Sequence, residues 1–267
     1  MTEASVIPDH NHNLSVCMLA SGSKGNAIFV SDGSTSILID AGLSGIEIER
    51  RLKSKGLCPD DLAAILVSHE HVDHIHGLGV LSRRFDLPVF INKKTCKAAS
   101  SRIGNIQDIA NFETNISFSI NTMTIQPFSI SHDAKDPVGF TINRNNTKIG
   151  IATDLGIATS MVKEHLKDCS LLILEANHDT DMLINGPYPW ELKQRIKSKT
   201  GHLSNEDSKN LLKEVQHDRL QHVILAHISE TNNTPEKALN AVWPALINRN
   251  SRISVATQNE PGALIHL

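Results

Sequence analysis

The hexapeptide His69-Glu70-His71-Val72-Asp73-His74 places three imidazoles and two carboxylates in six consecutive residues, directly after the apolar run LAAILVS. So many ionisable groups at the end of a buried strand are costly to desolvate unless they share a partner, and a metal cation suits them all. In a strand-to-helix loop His69 and His71 can face one ion, while Asp73 and His74 on the first helical turn face a second, roughly 3.5–4 Å away. Nitrogen and oxygen donors of this borderline kind suit Zn²⁺ or Mn²⁺, and Fe²⁺ as well. Any one of these histidines alone reads as an incidental surface residue; the full cluster does not. Three later apolar runs end on single groups of the same kinds: SISHD on His132, GIATD on Asp154 and VILAH on His227. Each alone is more often a polar residue closing a strand than a ligand. Converging at one edge of a sandwich, the three complete two ligand sets. A water shared by two divalent ions becomes a hydroxide nucleophile near neutral pH, so the expected chemistry is hydrolysis.

The elements that must position these groups are legible as alternating runs. SVCMLA, NAIFV and SILID, separated by the turn compositions SGSKGN and DGST, predict an opening antiparallel meander. Ser44 caps a helix with Ile46, Ile48 and Leu52 on one side, and Gly56 stops it. LAAILVS reads as a strand buried on both faces. A helix over 75–85, strand LPVFIN and a short helix over KKTCKAASSRIG follow. Between Asn115 and Ala152 the runs ISFSI, MTIQPFSI, VGFTIN and KIGIAT predict a second sheet. A helix over 159–167, strand LLILE, helices over 190–197 and 204–215, strand HVILAH, a helix over 235–247 and closing strands complete the chain. This order predicts an α/β fold, an αββα sandwich. With no repeat, low-complexity segment or linker, one domain over 15–267 is expected behind a polar, flexible leader, residues 1–14, which contains His10 and His12.

Bulk properties narrow the function classes. Of the 267 residues 40% are hydrophobic and 21% charged, as in ordinary globular proteins, and the net charge of −3 gives no global attraction to polyanions. Any nucleic-acid contact must be local. Cys17, Cys58, Cys96 and Cys169 lie far apart, which excludes a zinc ribbon or Cys-x-x-Cys redox motif, and they read as reduced thiols. The polar start and the absence of an 18-residue apolar run predict a cytoplasmic protein with no membrane partner. Fourteen histidines beside one Tyr favour imidazole chemistry.

The His-x-His-x-Asp-His pattern, here HEHVDH, resembles that of the metallo-β-lactamase fold superfamily. The resemblance implies one ion held by His69, His71 and His132, a second by Asp73, His74 and His227, and Asp154 bridging them. It makes Asp40, in ILIDAG, a support behind the ligating loop. Where zinc β-lactamases carry Cys at the bridging position this chain has Asp154, which favours a two-metal hydrolase over a β-lactamase. The blocks SGSKGN, HDAKDPVGF, EANHD, YPWELKQRI, GHLSN and AHISETNNTPEKA are similar to those of the YycJ/WalJ-like subgroup, from about Ser15 to the C-terminus. That resemblance implies a DNA exonuclease acting from 5′ to 3′. Lys24 and Val72 depart from the subgroup, where Ser is usual, and neither is a ligand. The chain lacks the inserted domain of β-CASP nucleases, so a DNA strand must be gripped by short loops or by a second subunit of a homodimer.

A phosphodiesterase needs an acid for its leaving oxygen, and Glu175 and His202 follow element ends from which they can reach the site. They resemble the Glu and His of transfer-RNA 3′-processing nucleases; the plainer alternative makes Glu175 a strand cap and His202 part of the approach to a helix capped by Ser204. His178 is a candidate of the same kind. Lys193, Arg195, Lys197 and Lys199 form either a phosphate-binding rim or a solvated helix face. Gly22 and Gly25, with Ser21 and Asn26, either approach a phosphate or close a tight turn. Tyr188 and Trp190 can stack on bases, although core packing is the commoner use of such a Trp. Two further readings stand beside the nuclease. One is a thioester hydrolase of the glyoxalase II type, for which no glutathione-binding segment is recognisable. The other is a metal-containing regulatory or binding protein with little turnover, against which the complete ligand set argues.

Overall fold

A strand that is apolar on both faces must be covered on both, and this requirement sets the architecture. The computed structural model describes residues 14–267 except residue 249. Its first sheet begins as a meander of β1 (Ser15–Ala20), β2 (Ala27–Ser31) and β3 (Ser36–Ile39) and continues in parallel through β4 (Leu62–Leu66), β5 (Val89–Asn92) and β6 (Ile109–Phe112). Helices α1 (Gly45–Ser54), α2 (Val72–Ile75), α3 (Leu78–Phe85) and α4 (Lys93–Ile103) lie in the crossovers. The second sheet starts with antiparallel β7 (Phe118–Ile120), β8 (Met123–Ser129), β9 (Val138–Arg144) and β10 (Thr147–Ala152). It turns parallel through β11 (Leu171–Glu175), β12 (His222–Ala226) and β13 (Arg252–Val255). Its crossovers carry α5 (Ser160–Leu166), α6 (Thr180–Asn185), α7 (Trp190–Lys197), α8 (Asn205–Val215) and α9 (Pro235–Val242). The chain ends in β14 (Ile265–His266), which pairs with β1.

Strand alternation sorts side chains into layers. Val16 and Met18 of β1 enter the core between the sheets, whereas Cys17 and Leu19 pack under the first set of helices. Leu171 and Ile173 of β11 join the same central core, while Leu172 and Leu174 meet the second set. The result is the expected αββα sandwich. Pairing of Ile39 with Leu66, Leu174 with Ala152, and Glu175 with Ala226 brings the carboxyl ends of β3, β4, β10, β11 and β12 to one edge.

Several local expectations change. Residues 1–13, with His10 and His12, lie outside the described residues; Leu14, placed in the leader by the sequence, is fully buried in the central core. The helix expected over 75–85 is two pieces broken at Gly77, whose N–H donates to Ala41 O (2.7 Å) and not to Asp73 O, which accepts from Asn26 N instead. The helix expected over 235–247 stops at Val242, and Pro244 then lies in a short 3₁₀ turn. Ile46 is exposed, and Arg51 shares the buried side of α1 with Ile48 and Leu52. The short β6 and α6, the latter capped by Asp179, were not foreseen. No helix among the described residues is long and apolar enough to cross a membrane.

Candidate metal centre

The candidate ligands stand just past strand ends at the shared edge: His69 after β4, His132 after β8, Asp154 after β10 and His227 after β12. Asp40, Asp154 and His227 leave their strands with φ of 60°, 56° and 54°. Such left-handed conformations are uncommon for non-glycine residues and persist where the surroundings enforce them. Asp73 and His74 occupy the first turn of α2, which is docked by hydrogen bonds from Asn26 N to Asp73 O (2.7 Å) and from Ala41 N to His74 O (2.7 Å). Gly42 permits that docking, because an added Cβ would lie 1.6 Å from Asp73 O.

Three imidazole nitrogens converge. His69 Nε2 is 3.1 Å and His132 Nε2 is 3.2 Å from His71 Nδ1. Nitrogens bound tetrahedrally to one ion at about 2.0–2.1 Å lie about 3.3 Å apart, so this spacing matches a common ion. The rings meet edge-on, at 80° for His69–His71 and 72° for His71–His132, rather than stacking. On the other side, His74 Nε2 is 3.5 Å from Asp73 Oδ2 and 3.2 Å from Asp154 Oδ2, and His227 Nδ1 is 2.9 Å from Asp154 Oδ1. Asp154 thus lies between the groups, with Oδ1 3.8 Å from His132 Nε2. Despite these approaches, Asp154 Oδ2 and His227 Nδ1 are buried with no well-formed hydrogen bond. An orphaned carboxylate oxygen among buried imidazoles is the environment that a divalent cation satisfies.

Electrostatics divides the histidines. Burial holds the imidazoles of His69 and His132 below their ordinary range, the neutral form that a ligand requires. Burial also opposes charge on His74 and His227, but it is outweighed there. Asp154, Asp40 and Asp73 together raise His74 well above the usual value, and Asp154 with Glu175 and Asp73 raises His227 to about 9. Burial opposes ionisation of Asp154, yet His227 and His74 hold its carboxyl well below the usual range. The negative charge that raises these imidazoles is charge that a divalent cation held by the same residues would neutralise.

Support comes from residues below the ligands. Asp40 Oδ2 lies 2.7 Å from His74 Nδ1; a carboxylate only accepts, so this nitrogen carries the proton and leaves Nε2 for an ion. Ser68, unforeseen although it precedes His69, donates to Asp40 from both N and Oγ at 2.8 Å. Asn177 Nδ2 donates to His227 O (2.9 Å), and Ser21 Oγ accepts from His227 N (2.7 Å). Asn26 Nδ2 donates to Asp73 Oδ2 (3.2 Å) while its Oδ1 accepts from Gly22 N (2.9 Å). Ser21 and Asn26 are thus buried and brace the site, and in SGSKGN the Gly22 N–H is bonded to Asn26 Oδ1.

Glu175 and His202 separate into two roles. Glu175 is fully buried; its Oε2 accepts from Leu155 N and Leu203 N, and its Oε1 lies 2.7 Å from His202 Nδ1. His202 keeps an accessible edge, with its ring 5.2 Å from that of His132 and 5.1 Å from that of His227. Burial works against its charge, but Glu175 raises its pKa overall. The His202 ring is thus the partly accessible member of the pair, held at Nδ1 by the buried Glu175. His178 stands apart as a buried histidine pushed by burial down to about 4.

The expected basic rim is only partly present. Lys193 Nζ donates to the carbonyls of Ile184 and Gly186 at the end of α6. Arg195 does reach the centre: it binds Asp133 Oδ2 at 2.5 Å, and Asp133 Oδ1 is 3.4 Å from His132 Nε2. Trp190 is 69% exposed, against the expected core packing, whereas Tyr188 lines a cleft of about 190 Å³ together with Arg195, His202 and His227. A larger cleft, about 750 Å³, lies at the opposite edge of the second sheet beside Asp168, His222 and Arg252 and shares none of the candidate ligands.

Comparison with known proteins agrees with this geometry. A family model described as the beta-lactamase superfamily domain matches residues 35–228. The chain is 40% identical over 231 residues to an exodeoxyribonuclease YycJ of Bacillus anthracis, covering 86% of this chain and 88% of that protein. It is 36% identical over 225 residues to an exodeoxyribonuclease WalJ of Streptococcus pneumoniae, covering 83% and 84%. In fold it is similar to the metallo-β-lactamase fold protein YhfI of Bacillus subtilis, with a TM-score of 0.74 at 15% identity over 93% of this chain and 99% of that one. The chain belongs to the β-lactamase superfamily, within the YycJ/WalJ-like subgroup of metal-dependent hydrolases with the metallo-β-lactamase fold.

Proposed function

We propose that this chain is a two-metal phosphodiesterase that degrades DNA from the 5′ end. The observation that carries the reading is the His202–Glu175 pair, 2.7 Å long, set against both ligand groups. Breaking a phosphodiester expels a strongly basic sugar oxygen, which needs an acid; a thioester expels a thiolate, which does not. In this reading His69, His71 and His132 hold one Zn²⁺ or Mn²⁺, Asp73, His74 and His227 hold the other, and Asp154 serves both. Bound ions supply an activated water and neutralise charge on the attacked phosphate. Glu175 fixes Nδ1–H of His202, so that the opposite nitrogen delivers a proton to the leaving oxygen. The relatives named exodeoxyribonucleases support DNA as the substrate.

The test is a substrate panel at fixed metal content: end-labelled DNA, RNA, a small phosphodiester and S-lactoylglutathione. DNA should shorten from the 5′ end, and Asp73→Ala or His74→Ala should abolish cleavage. Undiminished cleavage in those variants refutes the metal-centred reading. Turnover of S-lactoylglutathione alone would assign a thioesterase instead, and full metal loading without turnover of any phosphodiester would favour a regulatory or binding role.

A further inference from the structure

One candidate ligand, His227, lines the 190 Å³ cleft beside His202, and the rest of the lining has a different chemistry. Leu192 and Ile196, four residues apart, share one face of α7, and Tyr188, just before that helix, lines the same cleft. The same lining includes the polar Asn177, Ser229 and His202 and the ion pair of Arg195 with Asp133. Asn177 Nδ2 is tied to His227 O, and Ser229 Oγ accepts from Asn232 N, so these polar groups are held in place by the protein itself. Apolar and aromatic side chains beside anchored polar groups in one cleft are how a planar, polar-edged ring is held. The volume lies below the roughly 300–1,000 Å³ of drug-sized sites, enough for one ring system and its sugar but not for two stacked bases.

We infer that this cleft houses the nucleoside that leaves, its base lying against Tyr188 and Leu192. The inference rests on the phosphodiesterase reading above. His202, the proton donor to the leaving oxygen, is itself part of the cleft lining, so a sugar oxygen within its reach carries its base into the cleft. In the reaction, a water oxygen joins phosphorus, the bond from phosphorus to the leaving sugar oxygen breaks, and His202 gives that oxygen its proton. The products are a free 3′-hydroxyl on the departing unit and a 5′-phosphate on the shortened strand; from the second cut on, the departing nucleoside therefore carries that phosphate on its O5′. For attack from the 5′ end the leaving atom is O3′ of the terminal nucleoside. A cleft that holds one nucleoside makes the cutting stepwise from an end.

The experiment titrates the metal-loaded full chain with deoxyadenosine 3′-monophosphate, deoxyadenosine 5′-monophosphate and inorganic phosphate by calorimetry. The 3′-monophosphate should bind at least about tenfold more tightly than phosphate, since it adds a stacked base to the same anion. Tyr188→Ala should weaken it about 5- to 150-fold, the range spanned by loss of one base–aromatic stack. Leu192→Trp, which fills the cleft, should reduce it to the affinity of phosphate while phosphate binding itself is unchanged, a control for an intact metal centre. Equal affinities for nucleotide and phosphate, or a nucleotide advantage that survives both substitutions, would overturn the inference. Tighter binding of the 5′ isomer would overturn the O3′ assignment. Failure of the underlying reading is seen separately, as wild-type protein that is fully metal-loaded and leaves DNA uncut.

Discussion

Asp40 touches no candidate ion position directly, yet its replacement by Asn should weaken one of two ions selectively. Asp40 Oδ1 accepts from Ser68 N at 2.8 Å, and Asn can keep this bond. Its Oδ2 accepts from Ser68 Oγ at 2.8 Å and pairs with His74 Nδ1 at 2.7 Å. Replacing Oδ2 with an NH₂ group turns an acceptor into a donor. Ser68 can rotate its hydroxyl to comply, but His74 must move its proton to Nε2, removing the lone pair that an ion needs. The backbone gives no independent reason for loss, because Asn tolerates the left-handed φ of 60° at this position. Losing a hydrogen bond to a charged group costs about 1.5–3 kcal/mol. Loss of a carboxylate behind a ligating histidine typically lowers metal affinity by about 10–100-fold, or roughly 1.4–2.7 kcal/mol, so the two estimates agree. Stepwise competition with a chelating dye measures it: the Asp40→Asn protein should bind one ion about 10–100-fold more weakly, with the second ion, at His69, His71 and His132, far less affected. Two ions with wild-type affinity, or equal weakening of both, would refute the tautomer argument.

Three further outcomes follow from contacts around the same edge. His202→Ala should lower kcat on DNA about 10²–10⁴-fold with metal stoichiometry unchanged, the cost of removing a general acid; loss of an ion in this variant would make His202 a ligand instead. Gly42→Ala forces a Cβ to within 1.6 Å of Asp73 O, so α2 must shift. The expected result is about 1–3 kcal/mol of destabilisation together with reduced metal content, read by urea unfolding and elemental analysis; full metal content would contradict the docking role of Gly42. Away from the site, hydrogen bonding from Arg50, against a smaller burial penalty and helped by Arg51, lowers the Glu47 carboxyl to about 2. A carboxyl lowered by folding adds stability above its unfolded pKa and loses it as pH falls through the folded one. The stability difference between wild type and Glu47→Gln should therefore be full at pH 5 and shrink toward pH 2. Solvent screening of this partly exposed pair limits it to about 1 kcal/mol. A difference that stays constant over that window would show that the ion pairs are not its source.

The candidate ligands were legible because their chemistry uses residue types that are expensive at strand ends. His69, His132, Asp154 and His227 each follow an apolar run, and two-sided burial of that run places the next residue at the sheet edge. The supporting residues were harder to read, since Ser and Asn are ordinary in turns and their roles depend on partners distant in sequence. Asn177 holds the carbonyl of His227 only because β11 and β12 are neighbours, and Ser21 holds its N–H from the far end of the chain. The two readings of Ser21 and Asn26, a phosphate contact or a tight turn, stayed open in the sequence for the same reason. A Gly-Ser-Asn turn has one composition whether its N–H groups face a phosphate or its own side chains, and here Asn26 Oδ1 takes the Gly22 N–H. Trp190 illustrates the limit on helices. It lies two residues, about 200° of helical rotation, from Leu192, so a helix that turns Leu192 and Ile196 toward the cleft must turn Trp190 away from it. The spacing was readable in the sequence, but the choice of face was not. Tyr188, Leu192 and Ile196 show the same periodicity whether they meet a core or a cleft, and only the position of α7 beside His202 decides between them.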